Sequence, residues 1–338
     1  MADQSDPSGP TTVFNTSFSA YRASPLHLSS PLTDARLATL SRRLRDTLVG
    51  DTVRGIHVTS VTDESLARAG ALERVVLRWA AATELLNATS AEDDAESELA
   101  GHQGLVIELR YENARGEAIL LPRLKDAAKS AGDGDVWMEG AGESLSTRDK
   151  FAQLPLLLLR MPGPLKAVIV DFLQGVFDCR IVPLRLDAKT LIGVWEHWIS
   201  STPIKGPTAK DFVLTLSFSI PQAPEEEKAD CGLTSLDIVV AVDDLSKFVR
   251  SGKRLERTGS VDSMAERSIR GPFTAALARY VSQNTALDIF HPAVSVSKIA
   301  CGGFVLSDGR CKIFSPLDVD SPMWARGVVE ALIEKASP

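Results

Sequence analysis

Between Leu154 and Trp198 the spacing of apolar residues changes repeatedly, and each change fixes an element. The run Leu154 to Leu159, apolar around one proline, reads as a strand. Gly163-Pro164 then opens a helix in which Leu165, Val168, Ile169, Phe172 and Leu173 form one stripe at three- and four-residue spacing. Phe177 to Leu184 reads as a strand again. Asp187 is placed to cap a second helix, whose stripe is Leu191, Val194, Trp195, Trp198 and Ile199. The order strand, helix, strand, helix commits the chain to a mixed α/β or α+β fold, and the two tryptophans on a buried stripe read as core.

The flanking regions add mostly antiparallel structure. Residues 1–12 are rich in Pro, Ser, Asp and Gly and read as a disordered tail. From Thr33 or Asp34 a helix is expected, with Leu37, Leu40, Leu44 and Leu48 on one face, Arg42, Arg43 and Arg45 away from it, and a stop at Gly50. Strands are expected at Arg54–Val61, Leu72–Ala80, Leu105–Tyr111 and Glu117–Leu121, the last two joined by a turn at Asn113–Gly116. An acidic stretch from Ala88 to Gln103 and a second stretch from Asp126 to Lys150 read as loops.

In the last third, Phe212 to Ile220 alternates apolar with more polar residues and is the clearest strand. Leu236–Val242 alternates in the same way. Asp243 then caps a short helix through Leu245, Phe248 and Val249, and Ser251–Gly271 reads as a polar, mobile interval. A helix after Pro272 presents Phe273, Leu277, Tyr280 and Val281. Ala286–Phe290 and Val294–Leu306 read as extended, broken by Pro292 and by Gly302-Gly303. A turn at Ser307–Arg310 leads into Cys311–Phe314, and a closing helix after Pro322 buries Val328, Val329, Leu332 and Ile333.

The chain of 338 residues is long enough for about two domains. Its 44% hydrophobic and 24% charged residues describe an ordinary globular protein, and its formal net charge of -7 argues against a surface built wholly for nucleic acid. The N-terminus has no basic-then-apolar signal, and no run approaches the roughly 20 residues that span a bilayer. An intracellular protein is therefore expected. Cys179, Cys231, Cys301 and Cys311 lack any CxxC spacing and read as reduced core or strand thiols. No two of the histidines His27, His57, His102, His197 and His291 share a metal-ligand spacing. There is no GxSxG, HExxH or P-loop, and no GxGxxG opening a helix. Asp178 and Asp187 lie near each other in sequence, but Asp187 is better read as a helix cap than as half of an acid and base pair. The residues thus point to no enzyme, no cofactor and no metal. One charged feature stands out. Lys247, Arg250, Lys253, Arg254, Arg257, Arg267 and Arg270 face only Glu256, Asp262 and Glu266 in the same interval, a basic patch suited to phosphate backbones.

Three blocks, in order along the chain, resemble the centromere protein L family. They are VFNTSFSAYRASPLHLSS with the leucine-rich helix and GIHV; the Leu154–Trp198 segment, above all FDCRIVPLRLDAKTLIGVWEHW; and LSFSIP with LDIVVAVDDLSKFVRSG and TALDIFHPAVSVSKIACGGFVLSDGRCKIFSP. The acidic insertion at Ala88–Gln103 and the long PQAPEEEKADCG connection depart from the family's pattern. The resemblance implies an α+β (mixed α/β) fold of curved, largely antiparallel sheets with helices packed on one face. It implies a tail at 1–12, an N-terminal α/β domain at 13–150 and a C-terminal α/β domain at 151–338 that carries a partner-binding sheet.

It further implies a non-enzymatic nuclear subunit of the inner kinetochore, at the centromere. Such a subunit would pair with a centromere protein N homologue and contact other inner-kinetochore subunits; contact with centromeric nucleosome or DNA within the complex, and a homodimer rather than a monomer when alone, stay open. An exposed strand edge would serve that pairing, because a partner strand satisfies its backbone groups. The expected partner-binding residues are Val294, Val296, Lys298, Phe304, Val305, Leu306, Lys312, Ile313 and Phe314. The alternative is direct DNA binding through a basic loop at 247–270, by Lys247, Arg250, Lys253, Arg254 and Arg257.

Overall fold

The computed structural model describes residues 11–53, 69–87, 99, 101–124, 150–201, 210–218, 233–257, 271–315 and 322–337. Among them are seven helices and thirteen strands, every strand pairing within the sheets described below being antiparallel. The fold is the α+β class expected. The chain divides into two compact units, one of residues 1–13, 18–183 and 332–338, the other of 14–17 and 184–331. The strand at Leu156–Arg160 lies between two strands of the first unit.

In the first unit the strands are β1 (Ser17–Ala23), β3 (Leu72–Ala81), β4 (Gln103–Tyr111), β5 (Arg115–Leu121), β7 (Leu156–Arg160) and the short β8 (Ile181–Pro183). β7 pairs with β1 and β5, β4 with β5 and β3, and β8 with β1. A separate two-residue pair joins β2 (Leu26–His27) to β6 (Phe151–Ala152). The β4–β5 hairpin closes where expected, with Tyr111 N donating to the Ala114 carbonyl at 2.9 Å.

Helices α1 (Asp34–Val53) and α3 (Gly163–Phe177) bury their stripes against one face of this sheet. Leu37, Leu40, Leu44, Leu48, Leu165, Ile169, Phe172 and Leu173 meet Leu77, Ile107, Leu120, Leu157 and Leu159 there. The opposite face of the central strands is equally dry, since Val106, Ile119, Leu121, Leu156 and Leu158 are all at most 1% exposed. That double burial is why the Leu154–Leu159 run shows no alternation. A four-residue helix, α2 (Ala82–Leu85), follows β3 without a sequence signal of its own.

Two expectations change in this unit. α1 continues past Gly50 to Val53, because one glycine costs a helix only about 1 kcal/mol and does not by itself end it. The expected strand from Phe177 shrinks to Ile181–Pro183, because Phe177 is still buried in α3 and Asp178 leaves the helix in the left-handed conformation. The expected strand Arg54–Val61 lies outside the described residues.

In the second unit the sheet runs β10 (Ser235–Val240), β9 (Phe212–Phe218), β11 (Val294–Ala300), β12 (Phe304–Ser307) and β13 (Arg310–Ile313) in that spatial order. Phe212, Leu214, Leu216, Val296, Ile299, Phe304, Leu306, Cys311 and Ile313 form its buried face. Helix α4 (Ala188–Ser201) is capped as expected, with Thr190 N donating to Asp187 Oδ1 at 3.1 Å. Its Trp195 ring stands edge-on to Phe212 at 4.2 Å and to Phe273 at 5.1 Å, and its Trp198 ring meets Phe304 at 6.1 Å. Both tryptophans are core. They also account for Gly303, where any side chain would collide with Trp198 and Trp324.

Helices α5 (Val242–Arg257) and α6 (Pro272–Thr285) pack on one another, and α7 (Pro322–Ala336) closes the chain. Two expectations change here. α5 runs through Arg257, where a loop was expected from Ser251. Ala286–Phe290 is not a strand: Ala286 takes a left-handed conformation, and Asp288 folds the chain back by accepting from Phe290 N at its side chain and from His291 N at its carbonyl.

Candidate protein-interaction site

The register of the second sheet sets out its solvent-facing side residue by residue. Val239 of β10 lies opposite Val213 of β9, Val213 opposite Ala300 of β11, Ala300 opposite Val305 of β12, and Val305 opposite Lys312 of β13. This is an apolar row across four strands, ending on a lysine. Beside it runs a polar row of Asp237, Thr215, Lys298, Ser307 and Arg310, in which the Thr215 hydroxyl donates to Asp237 Oδ1 at 2.6 Å. No described helix separates Val239 from water: it is 61% exposed, the highest value among the exposed large hydrophobic residues. A third position adds charge at the far end, where Lys210 Nζ and Lys312 Nζ stand 5.1 and 5.2 Å from the centre of the Phe314 ring.

The sheet's open edge is β10. Among the described residues β10 pairs with β9 alone, in register from Ser235–Ser217 to Val240–Phe212, so its other side presents backbone donors and acceptors. β11 and β12 each have a strand on both sides. β13 has β12 on one side, while on the other the chain's own Phe14 bridges Ile313 and Asn15 N donates to the Ile313 carbonyl at 2.7 Å. Strand addition at the Val294–Phe314 strands, the mode expected from the sequence, therefore meets edges already occupied.

The nine expected partner-binding residues divide by face. Val296, Phe304, Leu306 and Ile313 point into the core. Lys298 is exposed, Val294, Val305, Lys312 and Phe314 are half-buried, and of these Lys298, Val305 and Lys312 take part in the open rows just described. Sequence reasoning missed Val239, Val213 and Asp237. A signal was present: in a strand whose Leu236, Ile238 and Val240 alternate, Val239 is an apolar residue on the wrong phase.

The five expected nucleic-acid residues, Lys247, Arg250, Lys253, Arg254 and Arg257, come together on one helix, α5, and all are exposed. The basic loop is thus a basic helix as far as Arg257, and residues 258–270 lie outside the described residues.

The described thiols are inert packing groups. Burial pushes the Cys301 and Cys311 thiols up to about 12 and the Cys179 thiol up to about 11. Cys231 lies outside the described residues. Among the described residues no three His, Cys, Asp or Glu side chains gather as metal ligands, and no helix is long and apolar enough to cross a membrane.

A sequence model described as Centromere protein L matches residues 12–337, nearly the whole chain. The chain belongs to the centromere protein L family. Over 172 residues this centromere protein L family member is also 26% identical to the inner kinetochore subunit fta1 of Schizosaccharomyces pombe (strain 972 / ATCC 24843), an alignment that covers 51% of each protein. The chain therefore spans about half the length of that curated relative. The matched residues include those of β10, of the open rows of the second unit and of helix α5.

Proposed function

We propose that this chain is a non-enzymatic inner-kinetochore subunit, located at the centromere in the nucleus, that pairs with a centromere protein N homologue through its second unit. The family and the likeness to fta1 support the kinetochore role. The observation that carries the mode of pairing is the open β10 edge beside an apolar row. A partner strand laid along Ser235–Val240 satisfies the outward backbone groups, and its neighbours cover Val239, Val213 and Val305. Lys298 and Lys312, at the rows' charged positions, set polarity against the partner. Val296, Phe304, Leu306 and Ile313 act from beneath, holding the sheet in shape. The same edge serves a second copy of the chain when the partner is absent, and other inner-kinetochore subunits join the pair.

Pairing is tested by co-purification of full-length protein with the centromere protein N homologue. Val239→Asp with Val305→Asp is expected to abolish co-purification while leaving the thermal melt of the isolated chain in place, since both side chains face water. Undiminished recovery of the partner with a folded double variant contradicts the reading.

A further inference from the structure

One end of the first unit's strands carries a row of like charges. Arg74 of β3 lies directly opposite Arg110 of β4, and Arg110 directly opposite Arg115 of β5, so three arginines follow one another across three strands on one face. Like charges set opposite each other destabilise an antiparallel pair, and this row holds two such pairs in succession. With adjacent strands about 4.8 Å apart, the outer two positions stand roughly 10 Å from each other.

The acids nearby are engaged elsewhere. Arg110 Nε meets Glu73 Oε2 at 3.3 Å, so the middle arginine is anchored. In the next row of the same face, Glu108 lies opposite Glu117, and each has its own cation: Arg78 Nε stands 3.1 Å from Glu108 Oε1, and Arg160 Nη1 stands 3.5 Å from Glu117 Oε2. Arg78 also holds Glu84 at 3.0 Å. The Glu112 carboxylate lies over Gly70, where a Cβ would collide with it. Arg74 and Arg115, both exposed, are left without an acidic partner among the described residues.

A row of this kind suits several carboxylates carried on one chain. A single small anion on an exposed arginine gains little, because water and salt screen it. When the anions are linked, the second and third meet guanidinium groups already held nearby. An extended peptide sets same-side residues about 6.8 Å apart, so acids at alternate positions come within reach of guanidinium forks spread over roughly 10 Å. Duplex DNA fits less well. Same-face rows also lie about 6.8 Å apart along a strand, so a duplex laid on the arginines would press phosphates onto Glu108 and Glu117, whereas one extended chain, about 5 Å wide, stays within the row. We propose that Arg74, Arg110 and Arg115 receive an extended acidic segment of a partner protein, with Asp or Glu at alternate positions. The contact belongs to the first unit and does not depend on the β10 edge.

The test uses the full-length chain and a fluorescent peptide of about nine residues, alternating Glu and Ser, titrated by anisotropy at about 50 and about 200 mM salt. The unsubstituted chain is expected to bind at the lower salt and to weaken by at least about threefold at the higher. The double variant Arg74→Gln, Arg115→Gln is expected to lose at least about fivefold in affinity at the lower salt. Its melting temperature should equal or exceed that of the parent, because the facing like charges are gone. Absence of binding by the unsubstituted chain at the lower salt, or a variant that binds as the parent does, overturns the proposal. So does a variant that melts lower by more than about 4 °C, which would make the arginines structural. Tighter binding of a DNA duplex than of the peptide at equal charge, lost in the same variant, also overturns it, in favour of a nucleic acid.

Discussion

The two units of this protein are built on similar antiparallel strands and differ in what lies over those strands. In the first unit both faces of β4, β5 and β7 are dry, and Val106, Ile119 and Leu158 are as fully buried as Ile107, Leu120 and Leu157 on the opposite face. In the second unit one face carries Trp195, Trp198 and Phe273, while the other leaves Val213, Val305 and Lys312 only half-buried and Val239 exposed. The first arrangement spends its apolar residues on stability. The second withholds part of them, together with an open strand edge, which is how a folded chain keeps a surface ready for another.

Matched substitutions should break the contrast if it is wrong. Placing a carboxylate at Ile119 strands a charge in the core of the first unit and is expected to cost more than about 4 kcal/mol, enough to prevent folding. The same change at Val213, on the open face of the second sheet, is expected to cost less than about 1 kcal/mol. Chemical denaturation of the two variants checks both values, and similar losses would mean that the open face is covered after all.

A smaller effect concerns the thiols beneath the second sheet. Cys301 and Cys311, held protonated by burial, should resist a thiol reagent at pH 8 in the native protein and react once it is unfolded. Because their folded values lie near 12 against an ordinary 9.0, their contribution is intact below pH 9 and is lost as pH rises from 9 towards 12. The loss amounts to about 1.4 kcal/mol per pH unit for each thiol, and urea titrations across that range measure it against a Cys301→Ala, Cys311→Ala variant. A modest effect is expected at α4, where Asp187→Ala removes the N-cap bond to Thr190 N and should cost about 1 kcal/mol by the same measurement.

Periodicity made most elements legible. The stripes of α1, α3 and α4, the alternation of β9 and β10 and the glycine-marked turns around β12 all stand in the structure where the residues put them. α5 was cut short because its second half buries little beyond Gly252, so the apolar signal fades while the helix continues against α6. The open edge was misplaced for a different reason. Alternation says which face a side chain takes, but not which strand lies alongside, and β10, β11 and β12 alternate much alike. Only the pairing order shows that β11 and β12 lie inside the sheet while β10 ends it. The sequence thus marks these segments as strands, and the pairing order alone marks which of them ends the row.

The β10 edge is tested most directly by amide hydrogen exchange of Ser235–Val240, measured in the isolated chain and in its complex with the centromere protein N homologue. Exchange at the outward-pointing amides of β10 is expected to slow by at least about tenfold in the complex, while the doubly paired β12 changes little. Equal exchange of β10 in both states, in a complex shown to be formed, would contradict pairing at this edge.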